Sequence, residues 1–140
     1  MRTIFFWLVS LLTLIFWVSA LADVILTLSN NETYLKDFPP DFVHWVQGFP
    51  LWRKALWVLT SVLGTLGAVL LTFRRKSAPL YLWAAPFLML MVFVGYDLML
   101  GNGADHYGLT GLITSSVMIV LGFLFAGHAS AALRKRRFRR

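Results

Sequence analysis

The sequence predicts an all-α polytopic membrane protein, with four transmembrane helices in an antiparallel bundle and a short helix on one membrane interface. Three observations carry this. The 140 residues are 59% hydrophobic and only 14% charged, where a soluble domain of this size carries about 25% charged residues. Four apolar stretches, at residues 4–28, 52–73, 79–100 and 109–129, each hold 21–25 residues. A helix needs roughly 20 to cross about 30 Å of hydrocarbon. The third is the charge distribution: with four spans, both chain ends and the middle loop share one side. That side carries Arg2, Arg74, Arg75, Lys76 and the six cations of the tail at residues 134–140, whereas the other side carries Lys36, Arg53 and Lys54.

Each stretch reads as helix because hydrocarbon offers no partner for backbone N–H and C=O groups, which must be satisfied within the segment. The alternation of a barrel strand is missing. The ten-to-three bias of basic residues predicts cytoplasmic termini in a bacterial inner membrane. All six carboxylates fall on or near the outer side. The net charge of +7 is therefore read as topology, and nucleic acid is not an expected partner. In the first stretch, Arg2, the apolar run and Ala20-Leu21-Ala22 also make a formal secretory signal. The run continues through Val24-Ile25-Leu26, so an uncleaved first span is expected.

The connections are read in turn. Pro39-Pro40-Asp41 opens a helix well, Phe42, Trp45, Val46 and Phe49 follow at helical spacing, and Gly48 and Pro50 stop it. An interfacial helix is expected over residues 40–47. The middle loop, Arg74-Arg75-Lys76-Ser77, is short enough to force an antiparallel hairpin. Pro86 is expected to kink the third span. Residues 101–108 read as a tight glycine-rich turn. Small residues should let helices approach closely: Ser61, Gly64 and Ala68 on the second span, Gly111 with Ser115, and Gly122 with Ala126, on the fourth.

Chemistry-bearing residues are few. Cysteine is absent, which excludes thiol catalysis and cysteine-ligated metals. No nucleophile elbow or phosphate loop occurs, so an enzyme, a cofactor and a metal are not expected; Asp41, His44, Asp105 and His106 share a side without a spacing that demands a metal. Asp23 and Asp97 lie inside apolar segments near the outer end, level with Arg53 and Lys54. A cluster of these four is expected, serving either as an ion- or proton-responsive site or as paired charges that fix helix ends. Arg134, Lys135, Arg136, Arg137, Arg139 and Arg140 are expected to contact anionic lipid headgroups.

Phe49-Pro50-Leu51-Trp52, Gly64-x-x-Gly67 with Leu70-Leu71, and Arg74-Arg75-Lys76-Ser77-Ala78 resemble small four-helix bacterial inner-membrane proteins of unknown function, some of them labelled sugar transporters. The resemblance implies the same location and architecture and no particular substrate. Two functions are carried forward. The first is a non-catalytic accessory, assembly or partner-binding membrane subunit, with another membrane subunit or a second copy as partner. The alternative is a small oligomeric secondary transporter or channel with Asp23, Asp97 and Arg53 lining an outer vestibule.

Overall fold

The computed structural model describes residues 2–137, with side chains for 3–134. The elements are α1 (Arg2–Leu28), α2 (Glu32–Leu35), α3 (Pro40–Gln47), α4 (Leu51–Thr72), α5 (Ala78–Val92), a π-helical turn (Phe93–Leu98) and α6 (Gly103–Arg137). Four helices are long and apolar enough to span a membrane: Thr3–Leu28, Leu51–Thr72, Ala78–Leu98 and Gly103–Arg134. They pack together, giving the chain the architecture of an integral membrane protein. The start of α1, the α4–α5 loop and the end of α6 gather at one end, where Arg74 lies over Phe6 and Trp7 and the Phe5 ring meets His128. This is the basic end; the short helices and the buried carboxylate lie at the opposite, acidic end.

Three connections close with a non-glycine residue at positive φ: Asn30 (52°), Arg74 (55°) and Asn102 (52°). At Asn30 and Arg74 the closure is a Schellman motif. The Asn31 amide reaches the Leu26 carbonyl at 3.1 Å and the Arg75 amide reaches that of Leu70 at 2.8 Å. Asparagine tolerates this backbone well, whereas arginine does not. The Arg74 side chain makes compensating contacts, its guanidinium standing 4.8 Å and 5.1 Å from the Phe6 and Trp7 ring centroids.

Helix α4 is central, between α1 and α5. Its small residues serve both neighbours: a Cβ at Gly64 would overlap the Trp17 ring of α1, and one at Gly67 would come within 2.8 Å of Leu82 Cγ on α5. Across the bundle, a Cβ at Gly122 of α6 would come within 2.9 Å of Pro86 on α5 and 3.6 Å of the Trp17 ring edge. Trp17, 1% exposed, is thus a wedge between glycines of two helices. Ala68 and Ala126 are buried in the same cluster as Trp17, Ser61 is buried on α4, and Pro86 is accommodated inside a continuous α5. The Gly111–Ser115 row makes no comparable approach. Both residues are only half-buried, and a Cβ on Gly111 would meet Tyr107 of its own helix.

The expected turn at 101–108 is a correction. Helix starts at Gly103, runs one turn, breaks at Gly108 (φ 63°, ψ 177°) and resumes. A Cβ at Gly103 would strike the Asp97 carbonyl, so this glycine lets the new helix start against the end of the previous one.

The packing gives a direct comparison of two glycines. Gly64→Ala should destabilise the protein in detergent by about 1–3 kcal/mol, because the Trp17 indole has nowhere to move. Gly127→Ala should be neutral or stabilising by up to about 1 kcal/mol, since nothing lies within 4 Å of its Cβ position. Thermal unfolding followed by intrinsic fluorescence checks both.

Candidate functional site: a capped ion pair

Arg53 leaves the first turn of α4, and Asp97 leaves the π-helical turn at the end of α5. They meet as a parallel bidentate pair, with Arg53 Nε donating to Asp97 Oδ1 at 2.8 Å and Nη2 to Oδ2 at 2.6 Å. Their side chains are 7% and 1% exposed. The Tyr107 hydroxyl, from the first turn of α6, donates to Asp97 Oδ2 at 3.0 Å. The carboxylate therefore holds three donors, from α4 and α6. The guanidinium also lies 4.7 Å from the Phe49 ring centroid and 5.7 Å from that of Trp57. A buried bidentate pair with a third donor on the carboxylate and an aromatic face on the guanidinium is a fixed arrangement, because breaking either partner strands a charge.

The π-helical turn is what presents Asp97. Its wider hydrogen bonding is seen where the Met99 amide reaches back five residues to the Val94 carbonyl at 3.3 Å. Within it, Gly95 faces open space, while Phe93 and Asp97 are buried.

Above the pair, α3 lays an aromatic layer. Trp45 donates its indole N–H to the Gly101 carbonyl at 2.8 Å, stacks on His106 at 5.0 Å and meets Phe49 at 4.7 Å and Tyr107 at 5.2 Å. Phe42 packs on Trp45 and Tyr107, and Phe38 and Tyr34 continue the ladder toward α1. The apolar stripe of residues 40–47 thus covers the ion pair from the end of the bundle.

The four residues expected to form one cluster divide into three arrangements. Arg53 and Asp97 pair as described. Asp23 instead accepts a hydrogen bond from the Tyr34 hydroxyl. Lys54 Nζ reaches no carboxylate and donates to the Gln47 carbonyl at 2.8 Å. Tyr34 reaches Asp23 because Asn31 caps α2, its side chain accepting the Tyr34 amide at 3.0 Å. Burial pushes the Tyr34 phenol above its usual range, and the hydrogen bond to Asp23 and that residue's negative charge push the same way. Tyr34 and Tyr107 are the residues that the sequence alone does not single out as partners. The Asn31 N-cap was the one readable signal for Tyr34.

Asp41, His44, Asp105 and His106 border a common groove beside this layer. Among the described residues no group of three or more His, Asp or Glu is placed to hold a metal ion. At the basic end Arg134 is exposed on α6. The side chains of Lys135, Arg136 and Arg137, and all of Arg139 and Arg140, lie outside the described residues. No protein-family model, curated protein or solved structure matches this chain.

The Tyr34 phenol gives a pH prediction. A raised folded-state pKa means its contribution to stability is complete below the ordinary phenol value of about 10 and declines as pH rises above it. Ultraviolet titration should show a late-ionising tyrosine step, and Tyr34→Phe should lower its amplitude by one phenol.

Proposed function

We propose that this protein is a non-catalytic integral membrane subunit that works by holding a partner within the bilayer. The observation that supports this best is the closure of its polar interior. The buried carboxylate holds three donors beneath the aromatic layer of α3, and the mid-bundle space is filled by Trp17 against Gly64 and Gly122. A transporter needs polar groups at the midplane that can be exposed alternately. Here the buried Thr13 hydroxyl bonds its own helix at the Val9 carbonyl and Thr65 bonds the Trp17 carbonyl, while the Ser10 hydroxyl and the Trp17 indole N–H have no partner among the described residues and are sealed from the surface. What remains available is lipid-level surface: Leu11, Ile15 and Val18 on α1 and Ile113, Val117, Val120 and Leu124 on α6 are all exposed. Such surface takes either lipid or another membrane helix.

The reading extends to location. The ten-to-three bias of basic residues supports a bacterial inner membrane with cytoplasmic termini, and the motif resemblance points to the same setting. The tail then rests on anionic headgroups.

Purification in mild detergent from the native membrane tests the proposal. A stoichiometric complex with a different membrane protein is the expected outcome. A pure homo-oligomer that moves ions or solutes in liposomes, with flux lost in Asp97→Asn, would establish the transporter alternative instead.

A further inference from the structure

The groove at the acidic end has a volume of about 610 Å³ and lies between α3 and the first turn of α6. That is within the roughly 300–1,000 Å³ of small-molecule sites. Its lining combines carboxylates with aromatic rings. Asp41 comes from α3 and Asp105 from the start of α6, Phe42, Trp45 and Tyr107 share the walls with them, and the imidazoles of His44 and His106 complete the lining without an ion pair to either carboxylate. Both carboxylates are exposed. The single salt bridge among the described residues is the one between Arg53 and Asp97, so neither groove carboxylate is neutralised by a described cation. The whole acidic end holds six carboxylates against three cations. One of those cations is locked on Asp97, and Lys54 is bound to a backbone carbonyl.

We propose that this groove binds an organic ammonium group, with Asp41 and Asp105 supplying the counter-charge and Phe42, Trp45 and Tyr107 the aromatic wall. An anion is disfavoured by two unpaired carboxylates. A hard divalent cation lacks a ligand set, since no three carboxylates or imidazoles converge. An alkylated ammonium is different: it is weakly hydrated, is attracted to aromatic faces and needs no directional ligands. The walls are held in place whether or not a ligand is present, because Trp45 is fixed by its bond to Gly101 and by stacking on His106, and Tyr107 by its bond to Asp97. The site is independent of the partner-binding role. The ammonium has two possible sources, a free solute or the headgroup of a neighbouring lipid.

The test is choline titrated into the full-length protein in nanodiscs, read by calorimetry. Asp41→Asn combined with Asp105→Asn should weaken binding about tenfold or more, by removing both counter-charges. The uncharged isostere of choline, in which carbon replaces nitrogen, should bind about tenfold more weakly to the native protein. Asp37→Asn, an exposed acid that does not line the groove, should leave the affinity within about twofold, because a solvated charge outside the site is largely screened by water and salt. Weaker choline binding in phosphatidylcholine nanodiscs than in uncharged galactolipid nanodiscs assigns the ammonium to the lipid headgroup. Equal binding in the two assigns it to a free solute, and either source satisfies the proposal. No binding at about 10 mM choline in the galactolipid nanodiscs, corresponding to an affinity weaker than millimolar, overturns it. So does an unchanged affinity in the double variant with the same unfolding temperature as the native protein, or equal affinity for the uncharged isostere.

Discussion

The arrangement on which the acidic end depends is the bidentate contact between Arg53 and Asp97. An ion inside a low-dielectric interior is tolerated only with a partner in good geometry and with its other lone pairs satisfied. That requirement dictates much of the surrounding structure. The π-helical turn presents the carboxylate, Tyr107 brings the first turn of α6 to it, and Phe49 and Trp57 flank the guanidinium. The gap left where α5 ends and α6 begins is closed by Trp45 from α3. Gly103 is required there because any side chain would displace the Asp97 carbonyl.

The middle of the bundle follows a different logic. Helices in lipid gain little from hiding apolar surface, so contact must come from close fit. Trp17 supplies the bulk and glycines on α4 and α6 supply the space. Gly67 lets α5 come up on the other side of α4. The basic end is held by cation–π contact of Arg74 with α1, at a residue that also closes α4 in the left-handed region. Three mechanisms therefore fix three levels: a charge pair, a steric wedge and a cation over aromatic rings.

Much of this was legible beforehand, for identifiable reasons. Span positions follow from hydropathy and length, and the α3 limits of Pro40 and Gln47 follow from prolines at its start and Gly48 at its end. Asp97 and Arg53 could be matched because each is a charge near the same end of an apolar segment. Asp23 escaped that logic: its partner is a tyrosine, delivered by a four-residue helix too short to show periodicity. The π-helical turn was equally hidden, since one wide turn inside an apolar run leaves no change in composition. The glycines of 101–108 suggested a turn, but Gly103 is needed for close approach and only Gly108 breaks the helix. In α6 the two small-residue rows look alike in sequence, and neighbouring side chains alone distinguish Gly122 from Gly111.

A closed, clamped bundle is the common ground of these observations, and the partner-holding role rests on it. A double-mutant cycle across Arg53 and Asp97, read by thermal unfolding in mild detergent, tests that clamp most directly. Arg53→Met or Asp97→Leu alone should each cost about 3–5 kcal/mol by stranding the other charge, whereas the two together should cost far less than the sum. Additive single effects of well under about 1 kcal/mol, the behaviour of a solvated surface pair, would contradict the account.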